Sequence, residues 1–334
     1  MTSEKRFGVG FTIGLSLTLG LFYGLFLLQL GVPTSSSQWS WAINAKKYQL
    51  AEAAGSPKLL LVGGSSILFG LRAREIQAKT GVATVNMGTH YALGSEYILH
   101  LARKVARPGD TVLLAFEYEA YADPLRDELF YDYLLARDPH YFNAMPLYQR
   151  VQTAMFISGN RLQRGLRSRG KPFAPAYFFP YDIKQINEFG DLFGATDELR
   201  PPGQPYLAST SRILASQGVS LKSQGFAILA DFIRWSRQKR IGVLATFPSI
   251  CHRPEYESPT ARGVIHDIES FYASWGVPVV GTAEESMLPP DMFFDTFYHS
   301  DEKGAQERTK RLLNYLEPIL KTPGTSRNPG KVAR

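Results

Sequence analysis

The sequence predicts an α/β domain with a mainly parallel, five-stranded sheet between two layers of helices, preceded by one transmembrane helix. Three observations carry this prediction. Short apolar runs alternate with stretches of helical periodicity, a long uncharged segment stands near the N-terminus, and 44% of the 334 residues are hydrophobic against 20% charged. This composition is ordinary for a chain that buries a globular core.

The N-terminal segment 7–32 contains no charged side chain, and about 20 apolar residues suffice to cross the hydrocarbon core of a bilayer. Lys5 and Arg6 precede it, and the next basic residue is Lys46. The positive-inside rule therefore predicts that residues 1–6 form a cytoplasmic tail and that the main domain is periplasmic or extracellular, on the inner or plasma membrane. A cleaved signal peptide is the alternative, but the run is longer than usual and lacks a small-residue cleavage site.

Five short apolar runs predict the strands, because continuous apolar segments suit strands that are covered by helices on both faces. These runs are Lys58–Gly63, Val82–Asn86, Thr111–Phe116, Gly242–Phe247 and Val277–Val280. Stretches with apolar residues at every third or fourth position separate them. Strands that alternate with helices indicate a parallel sheet in three layers, α/β/α.

The alternation sets the expected domain organisation. A linker and leading helix at 33–56 precede the α/β domain at 57–320, and a long aromatic and proline-rich insertion interrupts it at about 121–221. Within the insertion, Pro172–Tyr181 is the most proline-rich part. The last residues, 321–334, are predicted to be a disordered basic tail.

The net charge of +7 comes from 37 basic and 30 acidic residues. No zinc-finger, RNA-recognition or leucine-zipper pattern accompanies it, so nucleic acid is not a predicted partner. Basic residues cluster inside the insertion, at Arg161, Arg164, Arg167, Arg169 and Lys171. A solvated helix end is one interpretation of this cluster, and a contact with anionic lipid headgroups or an acidic polymer is the other.

The strongest chemical signal follows the first predicted strand, which runs into Gly63-Gly64-Ser65-Ser66. A hydroxyl at the tip of a strand, followed by a tight turn, lies at the edge of the sheet, where a carbonyl carbon can reach a nucleophilic oxygen. A phosphate-binding turn is an alternative, but neither G-x-G-x-x-G nor the lysine of a P-loop is present. A plain strand-to-helix turn is the third interpretation.

A histidine stands just before the last predicted helix, in Asp295-Thr296-Phe297-Tyr298-His299. This position holds the imidazole in a loop at the sheet edge. An imidazole whose other nitrogen is held by a carboxylate is the general base that a nucleophilic serine requires. Asp295 is the candidate carboxylate for His299, and Ser66 is the candidate nucleophile.

Together these motifs resemble those of the SGNH (GDSL-like) hydrolase superfamily over residues 57–120 and 240–320. The matching blocks are Gly64-Ser65-Ser66, Asn86-Met87-Gly88, and Asp295 with His299. The resemblance implies a flavodoxin-like fold of SGNH type. It also implies that Ser66 is the nucleophile, that His299 and Asp295 complete the triad, and that the amide of Gly88 helps to form the oxyanion hole.

Two departures from the family pattern are visible. Asp295 precedes His299 by four residues, where the family has three. The family's third block, Gly-x-Asn-Asp, is replaced by Phe116–Glu119, so one oxyanion donor is missing or substituted, and losing such a donor commonly costs about a hundredfold in rate or more.

Further candidates surround these blocks. Gly64, Ser65, His90 and Glu117 are predicted to contribute to the oxyanion or substrate-binding part of the site, although His90 could instead be a turn residue. Glu117 and its neighbour Glu119 could also serve as general acids, cap helices or bind the basic insertion. No His, Asp and Glu residues have metal-ligand spacing and Cys251 is the single cysteine, so neither a metal nor a cofactor is predicted.

The N-terminal anchor narrows the resemblance to the membrane-anchored proteins of teichoic-acid D-alanylation and of alginate and peptidoglycan O-acetylation. The implied function is a serine-dependent O-acyltransferase or esterase that acts on a cell-surface or exported polysaccharide. Its implied partners are that polymer, the lipid bilayer and a multi-spanning membrane O-acyltransferase. The alternative is a catalytically inactive scaffold that binds glycan or recruits such an acyltransferase.

Overall fold

The computed structural model describes residues 3–122, 128–170, 181–200, 202 and 207–321. They fall into two compact units, one from Met1–Trp41 with Arg126–Tyr177 and one from Ala42–Leu125 with Phe178–Arg334. The predicted insertion is therefore divided between the two units. Parts of several predicted segments lie outside the described residues, namely Lys171, residues 172–180 of the proline-rich stretch, residues 1–2, and the basic tail from residue 322 onward.

The elements of the described residues follow in chain order. The α-helices are α1 Ser3–Leu27, α2 Gln38–Ala53, α3 Ser65–Gly70, α4 Ala73–Thr80, α5 Ser95–Val105, α6 Glu128–Arg137, α7 Pro139–Ala144, α8 Leu147–Phe156, α9 Gly159–Ser168, α10 Gln224–Gln238, α11 Pro259–Ser274, α12 Ala283–Ser286 and α13 Glu302–Lys321. The strands are β1 Leu59–Gly63, β2 Thr84–Asn86, β3 Thr111–Ala115, β4 Gly242–Ala245, β5 Ile250–Cys251 and β6 Met287–Leu288.

The main sheet in the described residues has four parallel strands in the order β2-β1-β3-β4, and β5 and β6 form a separate parallel pair. The prediction of five strands is therefore wrong. The fifth run, Val277–Val280, makes only an isolated parallel bridge from Val279 to Ala245. The run is short, and its Pro278 has no N–H to donate to a ladder.

Helices cover both faces of the main sheet. One face packs against α4 and α13 through a buried cluster that includes Leu59, Leu61, Ile76, Leu113, Leu244, Leu312 and Leu316. Alternate strand residues point to the opposite face, where Leu60, Val112 and Leu114 are fully buried and where α5 and α10 contact the strands. Since all four strands run the same way, the chain leaves β1, β2 and β3 at one edge, and that edge carries the candidate site.

The first unit begins with α1, which is long and apolar enough to cross a membrane. Its C-terminal end is bound by the helices of residues 128–168. The ring of Phe26 lies 5.5 Å from that of Phe142, and the Gly31 amide donates to the Leu135 carbonyl at 2.7 Å. These contacts fix α6 and α7 against the end of α1.

The predicted linker after α1 is an ordered, hydrogen-bonded turn. Thr34 Oγ1 donates to the carboxylate of Asp132 at 2.6 Å, and Ser36 Oγ donates to it at 2.8 Å. Asp132 also forms a buried ion pair with Arg161. A buried carboxylate needs such partners to offset its lost hydration, so residues 34–36 are held in place by α6 and α9.

A buried ion pair fixes the starts of β1 and β3. Lys58 Nζ lies 2.8 Å from Asp110 Oδ2, and both side chains are essentially inaccessible. Asp110 also accepts the amides of Lys58 and Arg107. Replacing Asp110 with Ala is expected to lower the free energy of unfolding by about 3–5 kcal/mol, because it leaves a buried ammonium without its partner.

Denaturant unfolding of the purified protein measures this loss. The matched control is Asp231→Ala, which breaks the exposed pair between Arg103 and Asp231 and is expected to cost at most about 1 kcal/mol. Equal losses in the two variants would show that Lys58 and Asp110 do not hold β1 to β3.

Candidate active site

Ser66 lies just beyond the carboxyl end of β1, as the sequence predicts, but its side chain is not open to a substrate there as a nucleophile requires. The strand ends at Gly63, Gly64 caps the short helix α3, and Ser66 is its second residue. The side chain of Ser66 is completely buried, and its Oγ makes no hydrogen bond within the described part of the chain. Ser65, the neighbouring hydroxyl, is partly exposed.

Glu117 binds the backbone at the start of α3. Its Oε1 accepts the Ser66 amide at 2.8 Å, whereas its buried Oε2 has no partner among the described residues. A Cβ at position 64 would overlap both carboxylate oxygens, so only glycine at position 64 lets the carboxylate approach the amide. Of the roles considered for Glu117, the structure therefore shows it as a cap of α3.

The surroundings of Glu117 favour its neutral form. Burial raises the pKa of this carboxyl, and the charge of Glu119 adds to the increase, while the Ser66 amide, its own amide and the nearby Ser66 hydroxyl oppose it. Glu117 forms no salt bridge with any described residue. A buried carboxyl without a cationic partner resists ionisation.

His299 and Asp295 form the pair that the sequence predicts. His299 Nδ1 lies 2.7 Å from Asp295 Oδ1, because the loop folds back on itself through the hydrogen bonds from the Phe294 amide to the His299 carbonyl and from the His299 amide to the Thr296 carbonyl. A separation of four residues is therefore compatible with the pair. The second oxygen of Asp295 accepts the phenol of Tyr181 at 2.6 Å.

Asp295 is held in its charged form. Burial alone would raise its pKa, but hydrogen bonds from His299 and Tyr181 and the charge of His299 outweigh burial, so the pKa of Asp295 is lowered overall. A charged carboxylate on Nδ1 fixes the orientation of the imidazole and leaves Nε2 free to face a substrate or a nucleophile.

An aromatic stack brings this pair to α3. The imidazole of His299 lies parallel to the ring of Phe69, with centroids 4.1 Å apart and an interplanar angle of 3°. Phe69 is three residues after Ser66 on the same helix, and residues at that spacing are neighbours on a helix surface. The imidazole therefore packs against α3, the helix that carries Ser66, although Ser66 Oγ makes no hydrogen bond to it.

His90 lies in the same neighbourhood. Burial lowers its pKa to about 4, and the charge of His299 contributes to this decrease. Its Nδ1 accepts the Ala92 amide at 3.1 Å, so His90 is neutral near pH 7 and carries its proton on Nε2. The sequence left two interpretations of His90 open, a turn residue and a residue near the site. In the structure His90 is a turn residue that also lies near His299.

The predicted oxyanion donor Gly88 is engaged elsewhere. Its amide donates to Asn86 Oδ1 at 2.9 Å, and its carbonyl accepts Lys47 Nζ at 2.5 Å. Asn86 Nδ2 in turn donates to the carbonyls of Ile67 and Leu71. The second block therefore ties the end of β2 to α3, and the role of Gly88 in an oxyanion hole stays a prediction.

Three residues of this neighbourhood had no predicted role. Tyr181 is the last residue of the proline-rich stretch, Phe69 has the sequence pattern of an apolar core residue, and Lys47 that of a solvated position on the leading helix. Burial lowers the pKa of Lys47 to about 7, against the opposing charge of Asp191. No local pattern marks these residues, because each acts through contacts distant in sequence.

A charged cavity of the second unit lies away from the catalytic candidates. A cavity of about 750 Å³ is lined by charged residues that include Lys46, Arg72, Glu75, Lys184, Asp191 and Glu302, and neither Ser66 nor His299 lines it. Among the described residues, no three His, Cys, Asp or Glu side chains are grouped as metal ligands. His299 and Asp295 are partly open, with 12% and 15% of their side chains exposed.

Comparison with known proteins does not assign the chain to a family. No protein-family model matches the chain, and no curated protein is significantly similar to it. The functional argument therefore rests on the site.

The opposite pKa directions of the two carboxyls predict opposite effects of pH. Glu117→Gln keeps an acceptor for the Ser66 amide and removes the ionisable group. In wild type the raised pKa of Glu117 gives stability that is complete below its unfolded value and is lost as pH rises through the folded value. The free energy of unfolding of the variant is therefore expected to rise relative to that of wild type as pH increases. The rise is about 1.4 kcal/mol for each pH unit between the unfolded and folded pKa values of Glu117.

Asp295→Asn is the matched comparison. The lowered pKa of Asp295 gives stability that is present above its unfolded value and is lost as pH falls through the folded value. This variant is expected to be less stable than wild type at neutral pH and to approach it in acid. Unfolding free energies of all three proteins from pH 2 to pH 8 test both signs, and a difference for Glu117→Gln that does not change with pH would contradict the raised pKa.

Proposed function

We propose that this protein is a membrane-anchored acyltransferase or esterase of the SGNH type, with Ser66 as nucleophile, His299 as general base and Asp295 as the group that orients it. The observation that carries the proposal is the stack of the His299–Asp295 pair on Phe69, one helical turn from Ser66. This stack supports the proposal because it brings the His299–Asp295 pair against the helix that carries Ser66, near the carboxyl edge of a parallel sheet, where α/β enzymes place their sites.

The proposed chemistry has two balanced steps. Ser66 Oγ attacks the carbonyl carbon of an acyl donor while His299 Nε2 takes its proton, and the leaving group departs with that proton, so that an acyl ester forms on Ser66. An acceptor hydroxyl or water then loses its proton to His299 and attacks the ester. The acyl group leaves with the acceptor, and the proton returns to Ser66.

The location and substrate follow from the N-terminal helix and from the family resemblance. We propose that α1, which is long and apolar enough to cross a membrane, anchors the chain with its N-terminus in the cytoplasm. The acceptor or donor would then be a cell-surface or exported polysaccharide, as for the anchored acylation proteins that the motifs resemble. A multi-spanning O-acyltransferase is the corresponding proposed partner.

A scaffold without catalytic activity is the second candidate, and two observations favour it. Ser66 is fully buried and without a hydrogen bond in the described residues. The amide of Gly88, the expected oxyanion donor, is occupied by Asn86, and the amide of Ser66 itself is occupied by Glu117. In this alternative the domain binds glycan or recruits an acyltransferase, and the serine is not used.

Fluorophosphonate labelling distinguishes the two. If Ser66 is the nucleophile, Ser66→Ala is expected to abolish labelling of the full-length protein, and His299→Gln is expected to slow it by about a hundredfold or more, since a positioned base commonly contributes that much. Labelling is quantified over time by in-gel fluorescence.

The matched control is Ser274→Ala, which removes an exposed hydroxyl at the end of α11 and is expected to leave labelling intact. Labelling that persists in Ser66→Ala, or that is lost equally in Ser274→Ala, would remove Ser66 from the mechanism. Equal acylation of the polymer in cells that carry wild type or Ser66→Ala would assign the scaffold role instead.

A further inference from the structure

Helix α8 of the first unit exposes a set of large apolar side chains, which is unusual for a helix in water. Its large apolar side chains are exposed by 49–74%, namely Leu147, Tyr148, Val151, Met155 and Phe156. Two of its polar residues, Gln149 and Thr153, are buried, while Gln152 is exposed. Soluble helices bury the apolar stripe and expose the polar one, so this pattern calls for an apolar medium or partner outside the unit.

The position of α8 on the chain indicates which medium that is. Phe156 stacks on Tyr131 of α6 at 6.1 Å, and α6 in turn accepts the Gly31 amide just beyond α1. The helices of residues 128–168 are thus attached to the C-terminal end of α1. If α1 spans the bilayer, its end lies at the level of the lipid headgroups, and α8 is held near that level.

Helix α9 adds a direct link to the same end of α1. Arg161 donates to Gln29 Oε1 at 3.0 Å and to the Val32 carbonyl at 3.1 Å, and a Cβ at Gly165 would overlap Gln29. The close approach at Gly165 fixes the last turn of α9 beside α1. Arg161 is buried by this contact, so it belongs to the internal framework of the unit.

The remaining arginines of α9 have a different environment. Arg167 and Arg169 are exposed, and neither forms an ion pair with a described residue. Arg167 follows Leu166, an exposed apolar residue of the same helix. Basic side chains near exposed apolar ones are typical of helices that lie in the interface of a membrane, where the apolar side chains enter the acyl-chain boundary and the cations meet anionic headgroups. Tyr148 suits the same interface, since its ring is apolar and its hydroxyl polar.

We propose that α8 and α9 form an interfacial membrane-binding surface, in which the apolar face of α8 lies in the bilayer and Arg167 and Arg169 bind anionic lipid headgroups. The inference rests on the proposed anchoring by α1. It assigns the first unit to the lipid surface, so that the protein is held to the membrane by a surface helix as well as by the spanning helix.

Fluorescent labels on the full-length protein in lipid vesicles test the proposal. In a Cys251→Ala background, single cysteines are introduced as Met155→Cys on α8, Leu17→Cys on α1 as the membrane reference, and Glu269→Cys on α11 as the reference at an exposed polar position. Each protein is labelled with an environment-sensitive dye and inserted into phosphatidylcholine vesicles with phosphatidylglycerol and nitroxide-bearing lipid.

The label at residue 155 is expected to lose fluorescence to the lipid nitroxide as the label at residue 17 does, and to be shielded from aqueous iodide. A label at residue 155 that behaves like the one at residue 269 would overturn the proposal and assign the apolar face to a protein partner. A label at residue 17 that is not quenched by lipid would instead refute the anchoring by α1.

The headgroup contact is tested with the same label. Quenching at residue 155 is expected to be stronger with phosphatidylglycerol than with phosphatidylcholine alone. This difference is expected to disappear in a variant that combines Arg167→Gln and Arg169→Gln, which leaves the buried Arg161 in place. Identical quenching in the two lipids, or a difference that survives in the variant, would overturn the role of these two arginines.

Discussion

The hydrogen bond from the Ser66 amide to the Glu117 carboxyl is the interaction on which the site depends. It joins the chain just beyond β1 to the chain just beyond β3, and it exists only because residue 64 is a glycine and leaves room for the carboxyl. By fixing the first turn of α3, it also fixes where the rest of that helix points. Phe69 then faces the last loop, and the imidazole of His299 stacks on it. One contact between strand ends thus determines the geometry of residues more than two hundred positions apart.

The environments of the two carboxyls near this edge push their pKa values apart. Asp295 is charged because His299 and Tyr181 bind both of its oxygens, whereas Glu117 is buried with one oxygen unpartnered and without a salt bridge in the described residues. Enzymes that use two carboxyls in different roles separate them in this way. Asp295 is accordingly suited to orient an imidazole, and Glu117 is suited to act as a neutral hydrogen-bonding group.

The parts of the fold that were predictable from sequence depend on local patterns. The four strands of the sheet were found because each is a short apolar run, and the Asp295–His299 pair was found because both residues lie in one loop. The prediction that Val277–Val280 forms a fifth strand was wrong. Its proline limits pairing with β4 to one bridge, and an apolar pattern does not reveal this limit. The contacts of Tyr181, Lys47 and Glu117 were not predictable, since each depends on the close approach of distant segments. The division of the insertion between two units was not predictable either, because it also depends on contacts between segments that are distant in sequence.

The Ser66 amide also separates the two candidate functions on physical grounds. If the Ser66 amide is to stabilise an oxyanion, it must leave Glu117, because one N–H cannot serve both acceptors well. Acyl transfer that uses this amide therefore requires Glu117 to move away, and a neutral carboxyl releases an amide more readily than a carboxylate does, since hydrogen bonds to charged groups are about twice as strong. The raised pKa of Glu117 lowers the cost of this release. In a scaffold the same bond has no reason to break, so the mobility of the Glu117 side chain is the property in which an active and an inactive site would differ.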